Sequence, residues 1–189
     1  MNQDLLNLLK QRRSIYALGN DIKQNPDELV ALIESVIQET PTAFNSQATR
    51  AVFLFGEQHD KLWDIVVKRL KSEVPSEEAY EATKKKIAGF KAAFATILYF
   101  TDTDVVKQLE KNFPLYADNF ATWAEQSQGS AQLNTWVTRL TTVSVLICSI
   151  TTRSLTTLSA KLLISRQTGS YVLRCHSVPS KAKRMPRNT

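Results

Sequence analysis

Two short, continuous apolar runs, residues 51–55 (AVFLF) and 95–100 (ATILYF), stand among stretches whose apolar residues recur every three or four positions. Runs of that length, bounded by Gly56 in one case and by Thr101-Asp102-Thr103-Asp104 in the other, read as buried strands. The spacing between them predicts helices. Leu5, Leu8 and Leu9 mark one face of a helix from Asp4 to about Gln11. Asn25-Pro26-Asp27-Glu28 combines an N-cap, a proline at the first helical position and acids in the first turn. Leu29, Leu32, Ile33, Val36 and Ile37 follow as a buried stripe, and Thr40-Pro41 ends that helix. Leu62, Trp63, Val66, Val67 and Leu70 mark a third helix, with His59 near its start as a polar surface or capping group. Ser76-Glu77-Glu78 opens a fourth, whose Lys84-Lys85-Lys86 form a solvated face. A short helix follows Asp104. Phe113-Pro114 opens another, carrying Tyr116, Phe120, Trp123, Gln132, Trp136 and Val137, and Gly129 either interrupts it or lets a neighbour pack closely. Helices that outnumber and outlength the strands predict an α+β layered domain.

Between the second helix and the first strand lies Pro41-Thr42-Ala43-Phe44-Asn45-Ser46-Gln47. A connector there needs only polar groups that satisfy its own backbone. This one is richer, because carboxamides both donate and accept and can line the edge of a polar heterocycle. Upstream stands Arg12-Arg13-Ser14 at a helix end. Two arginines there form a solvated pair favoured by the helix dipole, or a phosphate clamp in which guanidinium forks and a hydroxyl meet phosphate oxygens.

Composition limits the alternatives. No apolar run follows Met1, so no signal peptide is expected, and no charge-free stretch of about 20 apolar residues predicts a membrane span. Two cysteines, Cys148 and Cys175, give neither a disulfide framework nor metal-ligand spacing, and a cytoplasmic protein is expected. No GxGxxG, Walker loop, GxSxG or HExxH occurs, which leaves no dinucleotide-fold, NTPase or hydrolase signature.

In order and at this spacing, Arg12-Arg13-Ser14 and residues 41–47 resemble the FMN-dependent nitroreductases. Arg50, the strand ending at Gly56, His59, Leu62-Trp63 and the Glu125–Trp136 helix with Gly129, Ala131 and Gln132 extend the resemblance toward the short Frm2/Hbn1-like branch of that family, over residues 1–138. The resemblance implies a three-layer fold with a central, mostly antiparallel sheet flanked by helices. It implies a homodimer with FMN at the interface, NAD(P)H as donor, a nitroaromatic or quinone-like small molecule as acceptor, and no catalytic side chain or metal. Arg12, Arg13 and Ser14 would hold the phosphate and ribityl end. Tyr16 stands where many members carry a basic residue, and Thr42, Asn45 and Gln47 would line the flavin.

After about Thr138 the chain departs from this pattern. All 18 acidic residues lie at or before Glu125, while nine of the 24 basic residues follow it, so residues 1–125 hold 15 basic against 18 acidic groups, a net charge of −3. The overall +6 belongs to the tail. A displaced reading frame accounts for the change: one codon choice turns residues 167–189 into NWKLRAQMPFGSIESKADAKEY and residues 144–154 into GVNLQHYNPL, which resemble the family's missing strand and loop. Residues 139–189 are therefore expected to be an aberrant basic tail with weakened cofactor binding. The alternative is a non-enzymatic, flavin-binding or regulatory protein whose basic tail contacts a partner through charge, although binding to nucleic acid or membrane is not expected.

Overall fold

The computed structural model describes residues 3–22 and 25–142. In chain order they form α1 (Gln3–Gln11), α2 (Pro26–Gln38), a 3-10 turn (Ala43–Asn45), β1 (Thr49–Phe55), α3 (Gly56–Leu70), α4 (Glu77–Lys91), β2 (Ala95–Thr101), α5 (Thr103–Asn112), a second 3-10 turn (Pro114–Tyr116) and α6 (Ala117–Thr142).

The strands pair antiparallel, with Thr49 opposite Thr101, Phe53 opposite Ile97 and Phe55 opposite Ala95. Side chains alternate between the two faces of such a ladder, and here both faces are covered. Val52, Leu54 and Leu98 pack with Leu62, Trp63, Val66 and Ile87 of α3 and α4. Phe53, Ile97 and Tyr99 pack with Leu29 and Ile33 of α2 and Ala131 of α6. Burial on both faces explains why the strands read as continuous apolar runs rather than as alternation. The result is a helix–sheet–helix layering, in accord with the α+β expectation.

Local chemistry starts the helices where the sequence predicts. The Asn25 side chain accepts from the Asp27 N–H at 3.0 Å with Pro26 in the first turn, and the Ser76 hydroxyl accepts from the Ala79 N–H at 3.2 Å. Asp102 caps α5. On α4, Lys84 bonds Glu81 at 2.7 Å, which raises its pKa above the usual lysine value.

Two readings need correction. His59 is not a surface or capping group: it is buried, at 2% exposure. Its Nδ1 lies 2.9 Å from Thr96 Oγ1, its Nε2 lies 2.9 Å from the Lys91 carbonyl, and the Trp63 indole N–H donates to the same Thr96 oxygen at 3.1 Å. The imidazole therefore ties α3 to α4 and β2 inside the core, with its polar atoms satisfied. Gly129 neither breaks α6 nor admits a close neighbour, because a β-carbon there would meet nothing within 4 Å. The backbone of α6 stays helical to Thr142. Residues 143–189, with the displaced-frame reading of the tail, lie outside the described residues.

The face of α1 carrying Leu5, Leu8 and Leu9 forms, yet none of its residues is buried, and Leu5 is 57% exposed. No described helix is long and apolar enough to cross a membrane.

Candidate functional site

Residues 41–47 form a turn built from left-handed backbone. Phe44, Asn45 and Gln47 have φ of 54°, 50° and 47°. Such a conformation costs a residue with a β-carbon about 1 kcal/mol or more and persists only where neighbours hold it. Asparagine is among the residues that tolerate it; phenylalanine and glutamine are not.

The holding contacts are specific. Within the turn, the Asn45 N–H donates to the Thr42 carbonyl and the Ser46 N–H to the Ala43 carbonyl, both at 3.0 Å. The Gln47 N–H donates to Thr42 Oγ1 at 3.1 Å. The Phe44 ring sits among Phe113, Phe120, Tyr116 and Trp123, with centroids 4.8, 5.2, 5.6 and 6.0 Å away. It lies near parallel to Trp123, at 17°. Such ring pairs contribute about 0.5–1.5 kcal/mol each beyond the area they bury. Just before the turn, Asn134 of α6 donates to Thr40 Oγ1 at 3.0 Å. Just after it, Ala48 is buried with Val106, Phe120 and Ala124.

The Arg12 segment is held more lightly. The Arg12 guanidinium lies 4.3 Å from the centre of the Trp136 ring on α6, a cation–π contact. Arg13 Nη1 donates to the Arg12 carbonyl at 2.8 Å in an exposed setting. Ser14 is exposed, and Tyr16 is 65% exposed. The Tyr16 carbonyl passes Gly89 of α4, where a β-carbon would meet it at 3.6 Å, an ordinary contact.

The fold thus gathers Thr42, Asn45 and Gln47 into one turn and sets it, like Arg12, against α6. Trp123 and Trp136, which receive Phe44 and Arg12, are thirteen residues apart, about 20 Å along the helix axis. Among the described residues, the side chains of Ser14, Asn45 and Gln47 have no hydrogen-bond partner and are free to meet a ligand. Thr42 differs, since its hydroxyl oxygen already accepts from within the turn.

Sequence reasoning missed two supports of this site. Phe44 passed as part of a polar stretch, although an aromatic residue inside such a stretch is itself a signal of an anchored turn. Arg50 was noted only for its resemblance, while the structure places its guanidinium on the Gln47 carbonyl and on Asp102.

An antiparallel sheet between helical layers is the architecture this chain shares with solved nitroreductases. The nitroreductase family pattern matches residues 9–140, and the chain belongs to that family. It is 38% identical over 134 residues to HBN1 of Saccharomyces cerevisiae, assigned as a nitroreductase, covering 70% of this chain and 66% of that protein. It is 33% identical over 133 residues to the nitroreductase FRM2 of the same yeast, covering 69% and 65%. The chain thus matches slightly less than two thirds of the length of these relatives. The solved nitroreductase CinD from Lactococcus lactis superposes with a TM-score of 0.64 at 44% identity, over 72% of this chain and 68% of that one.

Proposed function

We propose that this chain is an FMN-dependent oxidoreductase that takes hydride from NAD(P)H and reduces nitroaromatic or quinone-like acceptors. The observation that carries this reading is the turn at residues 41–47, a costly backbone held rigid while the carboxamides of Asn45 and Gln47 stay uncommitted. A rigid turn that offers free donors and acceptors is preorganised for a ligand with a polar edge.

The donor set fits FMN. Carboxamides match the alternating carbonyl and ring-nitrogen groups of the isoalloxazine edge, and Arg12, Arg13 and Ser14 match phosphate oxygens. When bound, the cofactor supplies hydride acceptance and electron delivery. The chain's own part is to orient the ring through Asn45 and Gln47 and to stabilise negative charge at its edge with their N–H donors. Thr42 serves from within, by fixing the Gln47 amide. Arg13 and Ser14 anchor the phosphate end, with Arg12 docking their segment on Trp136.

The exposed apolar residues Leu5, Leu6, Leu9, Ile15 and Tyr16, beside the basic pair, support a homodimer in which a second copy covers this face. The acceptor class is supported by CinD, which has been solved with chloramphenicol and with 4-nitrophenol, both nitroaromatic compounds.

The test is to add FMN to the purified chain, desalt it and record the visible spectrum, then follow NAD(P)H oxidation with 4-nitrophenol or chloramphenicol. Retained flavin bands and acceptor-dependent oxidation are expected. A colourless chain without such oxidation contradicts the reading.

A further inference from the structure

Arg50 follows the turn by three residues and commits its guanidinium to three acceptors. Nη1 donates to the Gln47 carbonyl at 2.7 Å and to the Thr49 carbonyl at 3.1 Å. Nη2 meets Asp102 Oδ2 at 2.9 Å, with the two side chains 18% and 30% exposed. Asp102 is itself fully engaged: Oδ1 accepts from the Asp104 and Val105 N–H groups at the start of α5, and its own N–H donates to the Ala48 carbonyl at 2.8 Å. One ion pair, largely withdrawn from solvent, therefore joins the turn, the start of β1, the end of β2 and the cap of α5.

Gln47 is the residue this arrangement grips. Its φ of 47° is unfavourable for a residue with a β-carbon. Its N–H is fixed by Thr42 and its carbonyl by Arg50. With both backbone groups tied, the direction in which its carboxamide leaves the chain is set. We infer that the Arg50–Asp102 pair is a positioning clamp that holds Gln47 in its left-handed conformation, so that its carboxamide is presented ready-made to the flavin edge. Neither residue needs to touch the ligand. The role at the flavin rests on the cofactor reading above; the grip on the backbone does not.

The chemistry of the pair supplies the variants. Arg50→Lys keeps a positive charge toward Asp102 but replaces a planar fork with a single compact head, which cannot serve the Gln47 carbonyl and the carboxylate together. Asp102→Asn keeps a side chain that caps helices as well as aspartate does, while removing the charge.

The full-length chain and both variants are compared in three measurements: thermal midpoint, ligand-free hydrogen exchange of the peptide spanning residues 42–50, and FMN affinity from quenching of flavin fluorescence. Arg50→Lys is expected to stay folded, to exchange that peptide faster, and to bind FMN about tenfold more weakly, the scale of one lost charged hydrogen bond. Asp102→Asn is expected to fall between it and the wild type. If Arg50→Lys lowers the thermal midpoint yet binds FMN as the wild type does, the role is merely structural and the proposal is overturned. If the wild type itself binds no FMN, the cofactor reading fails, and exchange alone decides: unchanged exchange in Arg50→Lys removes the clamp as well. Should Arg50→Lys not fold, Asp102→Asn carries the same comparison, with wild-type exchange and affinity overturning the proposal.

Discussion

The two halves of the candidate site are held in opposite ways. The turn at residues 41–47 is gripped by an aromatic cluster at Phe44, an internal bond donated by the Gln47 N–H to Thr42 Oγ1, and the Arg50–Asp102 pair. The Arg12–Tyr16 segment meets the body at the Arg12–Trp136 cation–π contact and where the Tyr16 carbonyl passes Gly89, and its side chains are otherwise mostly exposed, at the end of a helix with no buried residue. A ring edge is read by several short hydrogen bonds whose geometry must be exact, so its partners gain from a rigid mount. A phosphate is a strong, forgiving anion that long guanidinium side chains can close upon after it arrives. The turn is fixed firmly and the Arg12–Tyr16 segment lightly, the division of labour that the proposed FMN site would need.

Substitutions sharpen or break this contrast. The largest effect is expected at Phe44. Phe44→Ala removes the ring that anchors the turn and, because that ring is 47% exposed, should cost about 2 kcal/mol of stability in denaturant unfolding, below the range of a fully buried phenylalanine. Phe44→Gly loses the same ring but takes φ of 54° without strain, so it should be more stable than the alanine variant by about 1 kcal/mol. Equal values would mean that strain at this position is negligible.

Thr42→Val comes next. It removes the acceptor of the Gln47 N–H and should cost roughly 1–2 kcal/mol in the same unfolding measurement. It should also speed amide exchange of the turn; unchanged exchange would show that the turn does not depend on this bond.

Arg12→Ala should cost only about 0.5–1 kcal/mol, the value of an exposed cation–π contact. A loss as large as that at Phe44 would erase the contrast. Smallest is Ser14→Ala, expected within about 0.5 kcal/mol of the wild type in stability while weakening binding of inorganic phosphate or FMN. A stability loss without a binding loss there would make Ser14 structural.

What the sequence revealed divides by range of interaction. Asn25-Pro26, Ser76 and the strands at residues 51–55 and 95–100 were legible because capping and burial on both faces leave local signatures. His59 was misplaced because its partners, Lys91 and Thr96, lie 32 and 37 positions away, and nothing beside it announces them. The Arg50–Asp102 pair spans 52 positions and was hidden for the same reason. The leucines of α1 were read correctly as one face, but spacing cannot say what covers that face. The turn was recognised by its polar residues, while its left-handed backbone was not, because no glycine marks it. Gly129 was over-read: a glycine within a helix can simply be tolerated.

The most direct measurement is a paired titration of the purified chain with FMN and with riboflavin, which lacks the phosphate, repeated for Arg13→Ala and Gln47→Ala. The account predicts that the wild type binds FMN more tightly than riboflavin. Arg13→Ala should lose that preference while keeping its riboflavin affinity, and Gln47→Ala should weaken both ligands by the same factor. Equal affinity of the wild type for the two ligands, or binding of neither, would contradict a site in which the arginine segment reads the phosphate and the turn reads the ring.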